Sequence, residues 1–226
     1  MSNVLTMYTG PKRSDDRAQA KLGPMVSFAN GSGGAPSAVY VERDLPEGGI
    51  PAYRAARGSG ARSFVLWADD GRRERVATVA TLSATGGVAR FQVLGAQGEL
   101  IGTLVREKAL RGRGLRTRWT VTQPGRPDSV GFKGRIVWWW LWWPLLPLMV
   151  LVLLFSVFDS VPMNEGGFAR APRRIRWRAK GQVPLEFRSK GEQLHVHAPE
   201  VDWRLGAALI TLLRSFNAGA WDAAKK

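Results

Sequence analysis

The chain lacks cysteine altogether and has only two histidines among its 226 residues. Without thiols it can form no disulfide, no thiolate metal site and no palmitoyl thioester, although the cellular compartment stays open. The histidines, His195 and His197, alternate on one predicted strand, where only Glu186 and Glu192 could complete a metal site. We therefore expect a solvent-facing pair, with no bound metal and no cofactor.

Catalytic signatures are also missing. The sequence has no GxxxxGK[ST] or GxGxxG phosphate loop and no nucleophile-elbow serine. No residues combine a nucleophile with a base. We therefore predict a protein that is not an enzyme, and an enzyme acting on lipids or cell-envelope precursors is the weakest of three hypotheses.

Carboxylates are scarce relative to cations. The chain has 33 Lys and Arg against 18 Asp and Glu, which gives a formal net charge of +15 and a pI near 11.2. Such a chain is attracted to polyanions. Beside an apolar anchor the nearest polyanion is the membrane surface, so anionic phospholipids are the expected partners. A protein partner is a further candidate, whereas nucleic acid needs an additional assumption.

The most informative feature is an uncharged run of 23 residues, Ile136 to Phe158. At about 1.5 Å per helical residue it reaches roughly 35 Å, enough to cross a hydrocarbon core of about 30 Å. The run predicts a membrane protein, with a buried soluble helix as the alternative.

The two ends of this run differ in composition. Five tryptophans crowd its first third and are expected at the headgroup boundary, where an indole N–H stays hydrated: Trp138, Trp139, Trp140, Trp142 and Trp143. Pro144 and Pro147 separate them from a segment rich in Leu and Val. Because proline removes a backbone donor and clashes with the preceding turn, we expect a kink or a reversal there.

Both flanks of the run are basic. The nearby cations, which are candidate contacts for anionic lipid or a partner, are Lys133, Arg135, Arg170, Arg173, Arg174, Arg176 and Arg178. Basic flanks are typical of the cytoplasmic side, and residues 1–26 show no leader for export. We therefore expect a re-entrant hairpin or bent anchor in the cell membrane, with the globular domain facing the cytoplasm. A single crossing remains open, because a hairpin turn facing lipid would leave backbone groups unpaired.

Short alternating runs from residue 38 onward predict antiparallel β structure. The clearest hairpin spans Arg90 to Val105 and turns at 95–98, and Lys180-Gly181 and Lys190-Gly191 supply later turns. The predicted organisation is a flexible N-terminal tail (1–37), the first part of a β-barrel domain (38–135), the membrane insert (136–158), a loop (159–172), the last strands and a central helix (173–218), and a C-terminal tail (219–226).

The best predicted helix runs from Asp202 to Asn217. Asp202 can cap it, and Gly219 lies just past its end. From Leu205 to Leu213 only Thr211 is polar, so the helix should be enclosed on most sides, for which a closed sheet is suited. A peripheral membrane helix is the alternative. The residues expected at the centre are Leu205, Leu209, Ile210, Leu212, Leu213 and Phe216.

The hairpin RFQVLGAQGELIGTLV, the following strand RTRWTV and the helix DWRLGAALITLL resemble the tubby C-terminal-like superfamily, and within it phospholipid scramblases and LURP-one-related proteins. The resemblance covers roughly Val88 to Phe216. It implies a mainly β fold, an antiparallel barrel of about twelve strands around the last helix, and phospholipid contact at membranes. The chain departs from scramblases in having no aspartate cluster before the final helix, no proline-rich N-terminal tract and no cysteine, so calcium-activated scrambling is not implied.

Two hypotheses are favoured over an enzymatic function. The first is a membrane-anchored, non-enzymatic, phospholipid-contacting module. The second is a membrane-tethered adaptor that recruits a protein or polyanionic partner through Trp119, Trp177 and the neighbouring arginines, since interleaved Arg and Trp can also stack bases.

Overall fold

Period-2 alternation of apolar side chains gives twelve strands in a computed structural model, which describes residues 3–9, 23–29, 37–110, 114–133, 174–217 and 221–222. The strands are β1 (Asn3–Tyr8), β2 (Met25–Phe28), β3 (Ala38–Arg43), β4 (Phe64–Trp67), β5 (Arg75–Thr85), β6 (Val88–Gly95), β7 (Leu100–Glu107), β8 (Thr117–Thr122), β9 (Ser129–Lys133), β10 (Arg174–Ala179), β11 (Gln182–Arg188) and β12 (Gln193–Val196). Within these residues there are two helices, α1 (Gly49–Ser59) and α2 (Trp203–Ser215).

The twelve strands form one closed antiparallel barrel. Each strand pairs with its neighbours in the sequence, and β1 closes the sheet by pairing with both β2 and β12, with Leu5 opposite Leu194. β9 pairs with β10 across the hydrophobic insert, with Gly131 opposite Trp177. The predicted antiparallel barrel of about twelve strands is therefore confirmed, and strands from both sides of the insert belong to the same barrel.

Helix α2 lies inside the barrel. Asp202 caps it by accepting a hydrogen bond from the Arg204 N–H at 2.8 Å. Leu205 to Leu213 are all buried, and the Thr211 hydroxyl donates to the Ala207 carbonyl within the helix at 2.7 Å. Of the residues expected at the centre, all are buried except Phe216, which is half-buried at the end of the helix.

Two hairpins match their predicted turns. The β6–β7 hairpin turns at 95–98, where Gly98 adopts a positive φ of 84°. The β10–β11 turn places both Lys180 and Gly181 at positive φ. These are the backbone conformations that short hairpins need, and glycine reaches them without steric cost.

The N-terminal residues differ from the expected flexible tail, because β1 and β2 lie within 1–37 and belong to the barrel. Leu5, Met7 and Val26 are buried against the core. The strands are short and their partner β12 lies far away in the sequence, so local pattern carried little signal. Helix α1 was also not predicted. It begins after Gly48 and ends at Gly60, both in the left-handed conformation.

The hydrophobic run Ile136–Phe158, with its five tryptophans and two prolines, lies outside the described residues, as do Arg135, Arg170 and Arg173. Neither helix in the described part of the chain has the length and apolarity needed to span a bilayer. The expectation of an inserted membrane helix therefore gains no support here.

A methyl group at Gly102 should destabilise the barrel. A Cβ there would lie 2.5 Å from the Thr122 carbonyl oxygen and 3.1 Å from two side-chain carbons of Leu205, where β7 approaches α2. We expect Gly102→Ala to lower the free energy of unfolding by about 2 kcal/mol, as for other overpacked cores. The measurement is urea unfolding of the purified protein.

Gly114→Ala is the matched control, because a Cβ at Gly114 meets no atom within 4 Å. Equal urea midpoints for the two variants would contradict the close approach of β7 to the helix.

Candidate anion site at one end of the barrel

One end of the barrel carries both the insert and the end of the central helix. β9 ends at Lys133 and β10 begins at Arg174, so the chain leaves and re-enters the barrel at this end. The Lys133 ammonium donates to the side-chain oxygen of Asn217, two residues past α2, at 2.8 Å. We call this the insert end.

Strand alternation directs cations into the barrel at the insert end. On β7, Gly102 and Leu104 are buried against the core, and Arg106 follows on the same face. Its guanidinium lies 4.1 Å from the centre of the Phe216 ring. The guanidinium of Arg62 lies 4.3 Å from the same ring. Phe216 thus holds two cations beside the end of α2, an arrangement favoured by cation–π attraction.

These cations border a cavity of about 590 Å³. Its cationic lining consists of Arg57, Arg62, Arg106 and Lys108, which together with Phe216 we call the basic pocket. Glycines of α1 and of the β5–β6 turn form much of the remaining wall, which leaves backbone open to an occupant. Among the described residues the lining contains no Asp or Glu, and the volume is in the range of small-molecule sites.

The carboxylate of Asp222 lies behind two of the pocket arginines and is fully buried. Arg57 binds both of its oxygens at 3.0 Å, and the Tyr53 hydroxyl donates to it at 2.9 Å. Arg62 Nε lies 3.1 Å from Asp222 Oδ2 without the alignment of a hydrogen bond. Asp222 therefore links α1 and Arg62 to residues 221–222, which we call the carboxy-terminal segment.

Burial dominates the electrostatics of the pocket. It lowers the pKa of Arg62 to about 10, although the charge of Asp222 opposes the shift. Burial also lowers the pKa of Arg106, and burial followed by the charge of Arg106 lowers that of Lys133. Burial and then Asp222 raise the pKa of Tyr53, so its hydroxyl stays a donor.

The end of α2 offsets part of this positive charge. Arg57 Nη2 donates to the Ser215 carbonyl at 3.1 Å, and free carbonyls make a helix C-terminus partly negative. Half a charge from the helix and one from Asp222 do not balance four cations. The pocket is therefore suited to an anion.

The basic residues predicted to contact lipid have a different arrangement. Arg174 and Arg188 donate to Glu186 at 2.6 Å, and Arg176 lies 3.5 Å from it. This Glu186 cluster lies on the outer face of β10 and β11, where the carboxylate is buried beneath half-exposed arginines. Arg178 is exposed farther along β10. The cluster keeps a net positive charge, but its arginines are partly engaged within the protein.

The two histidines lie beside this cluster. Their rings stack with centroids 6.1 Å apart, and His197 is exposed whereas His195 is half-buried. Burial, then the charge of Arg188, lowers the pKa of His195. In the described ranges no three residues of the types His, Cys, Asp and Glu come together as a metal site.

Trp119 and Trp177 do not form the predicted exposed stacking surface. Both are buried in the core, at 1% and 0% exposure, because alternation turns them inward while the flanking arginines point outward. Trp177 packs over Gly131, where a Cβ would lie 2.9 Å from its ring. The Arg–Trp interface of the adaptor hypothesis is therefore corrected.

Charge is distributed unequally between the two ends. At the end opposite the insert, the described connections carry seven carboxylates, Asp69, Asp70, Glu74, Glu99, Asp128, Glu200 and Asp202, against four cations, Arg72, Arg73, Arg126 and Lys180. The described segments at the insert end, including the residues after α2, carry six cations, Arg54, Arg57, Arg62, Lys108, Arg116 and Lys190, against four carboxylates, Asp44, Glu47, Glu192 and Asp222. Among these described segments, cations are therefore in excess at the insert end and carboxylates at the opposite end.

Comparisons with protein-family models, with curated proteins and with solved structures find no match for this chain. The pocket residues were also missed from sequence, apart from the general excess of cations. Arg106 had a usable signal, since it follows Gly102 and Leu104 in strict alternation. Arg57, Arg62 and Asp222 had none, because loop and helix geometry brings them together.

The Glu186 cluster predicts a specific loss of stability in acid. Burial raises the pKa of Glu186, but the hydrogen bonds of Arg174 and Arg188 outweigh burial and lower it from 4.5 to about 2. A depressed carboxyl pKa contributes stability above pH 4.5 that is lost as the pH falls toward 2. After allowance for screening of the half-exposed arginines, we expect a contribution of about 2 kcal/mol.

The test is the change in unfolding free energy between pH 6 and pH 2.5. It should be about 2 kcal/mol smaller in Glu186→Gln than in the exposed control Glu47→Gln. The same acid sensitivity in both variants would show that the cluster contributes nothing to stability.

Proposed function

We propose that the protein is a membrane-anchored, non-enzymatic, phospholipid-contacting module of tubby-like type, with the insert end of its barrel against an anionic leaflet. One observation carries this proposal: β9 ends at Lys133 and β10 begins at Arg174 at the end of the barrel that holds the basic pocket, and the apolar run lies between these two residues in the sequence. A run that binds lipid therefore brings that end of the barrel to the headgroups.

The charge distribution supports the same orientation. An anionic surface attracts the insert end, where cations are in excess, and repels the opposite end, where carboxylates are in excess. The barrel that surrounds its last helix supports the tubby-like kinship. In this proposal the domain lies at the cytoplasmic face of the cell membrane.

The closed barrel also supports a re-entrant or bent anchor. Strands before residue 134 and after residue 173 pair directly, so both must occupy one aqueous compartment. A single crossing would separate β9 from β10. The anchor in this proposal therefore enters and leaves the membrane on the same side.

The orientation is tested by vesicle flotation of a variant in which residues 134–173 are replaced by a short Gly-Ser linker. This variant should bind vesicles that contain anionic lipid and should dissociate as salt is raised, since a Debye length of about 8 Å screens surface charges. Neutralising the insert end with Lys108→Gln, Arg116→Gln and Lys190→Gln should weaken binding about a hundredfold, at about 1 kcal/mol per cation.

The matched control neutralises three exposed cations at the opposite end, Arg72→Gln, Arg73→Gln and Lys180→Gln, and should bind as the parent does. Equal losses in both triple variants would disprove the orientation. Failure of the linker variant to bind any vesicle would favour the adaptor function.

Topology is tested with single cysteines, which are unique in a chain without native thiols. Ser83→Cys on β5 and Gln182→Cys on β11 are exposed and lie on either side of the insert. In intact cells a membrane-impermeant maleimide should leave both unlabelled, and lysis should expose both. Labelling of one site alone in intact cells would contradict a re-entrant anchor.

A further inference from the structure

Two arginines of the basic pocket face both the cavity and a buried carboxylate. Arg57 and Arg62 line the cavity, and both also contact the buried carboxylate of Asp222. Arg57 gives Nε and Nη2 to Asp222, while Nη2 also reaches the Ser215 carbonyl. Arg62 gives Nη1 to the carbonyls of residues 57 and 61. Each guanidinium is therefore only partly used by the protein.

No described carboxylate plays this part for the other two pocket cations. Within the described residues, Arg106 has no carboxylate at ion-pair distance and contacts the Phe216 ring instead. Lys108 is exposed at the rim of the cavity. A half-buried guanidinium without an anion is costly, as the burial-lowered pKa of Arg106 reflects. An occupant that brings negative charge would remove this cost.

We propose that the basic pocket binds a phosphoryl group and that Asp222 is its built-in competitor. A phosphoryl dianion has oxygens enough to accept from several guanidiniums at once, which suits four cations around one cavity better than a monovalent anion does. The volume of about 590 Å³ leaves room for the group that carries the phosphate. The inference rests on the proposed function only for the source of the phosphoryl group, a lipid headgroup.

The competition follows from the shared arginines. A dianion in the cavity and the carboxylate of Asp222 repel each other across Arg57 and Arg62, so each weakens the binding of the other. Asp222 is adjacent to Trp221, whose Nε1 donates to the Thr211 carbonyl at 3.2 Å and whose ring packs on Phe64 at 5.7 Å. Phosphoryl binding therefore loosens the carboxy-terminal segment from the barrel, and docking of that segment weakens phosphoryl binding.

The first test is calorimetric titration of the full chain in nonionic detergent with inorganic phosphate. Asp222→Asn should bind at least about tenfold more tightly than the parent, and Arg106→Gln about tenfold more weakly. Asp128→Asn, an exposed carboxylate at the opposite end, is the matched control and should not differ from the parent. Weaker binding by Asp222→Asn would mean that Asp222 positions the arginines, which overturns competition.

A second variant guards against misfolding of Asp222→Asn. Tyr53→Phe removes a neutral donor to Asp222 and leaves all charges in place, so it should loosen Asp222 and tighten phosphate binding a few-fold. An independent readout is the amide hydrogen exchange of residues 221–222, whose rate should rise with phosphate. Absence of phosphate binding in the parent and in both variants would overturn the site.

The source of the group is distinguished with vesicles of equal surface charge. When the full chain is reconstituted into vesicles that contain phosphomonoester lipid, the headgroup should occupy the pocket and the affinity for free phosphate should be lost. In vesicles that contain phosphodiester lipid instead, the affinity for free phosphate should be unchanged. If the protein binds free phosphate but shows no preference for anionic vesicles, the proposed membrane orientation is disproved and the proposed phosphoryl site is retained. Vesicle binding that is unaffected by Arg106→Gln, with no phosphate titration, would sink the pocket and leave the orientation standing.

Discussion

Enclosure of an almost entirely apolar helix is the constraint on which the rest of the structure depends. From Leu205 to Leu213 the helix has no face that water would stabilise, so twelve strands surround it. Gly102 leaves room on β7 for the side chain of Leu205, and Gly206 leaves room on the helix for the side chain of Leu5. Where the apolar stretch stops, the barrel must accommodate polar groups, and the cations around Phe216 lie at that boundary.

The loop charges oppose the helix dipole, because each end of the barrel carries the charge opposite in sign to the helix terminus that lies there. Asp202 caps the positive N-terminus at the end with excess carboxylate, and Arg57 binds the C-terminal carbonyls at the end with excess cations. Each loop set thus stabilises the helix terminus that it meets. The loop charges that stabilise the helix termini also give the two ends of the described barrel opposite excess charge, which determines the end that an anionic surface attracts.

Local signals predicted the fold where partners are near in sequence and failed where they are distant. The β6–β7 hairpin and α2 have turn glycines, alternation and a cap within a few residues. β1 gains its stability from β12, which no local window contains. Trp119 was placed on the surface because arginines flank it, yet the same alternation that exposes the arginines buries the ring. Asp222 depends on tertiary contacts alone, and so could not be foreseen.

Pairing of the first strand with the last has a consequence for biosynthesis. The ladder between Asn3 and Val196 cannot form until nearly the whole polypeptide has left the ribosome, and the helix that fills the barrel emerges later still. The hydrophobic run Ile136–Phe158 is translated before β12 and α2. If this run binds lipid as proposed, the nascent chain meets the lipid surface as an open sheet, and the barrel closes around α2 only after that contact has formed.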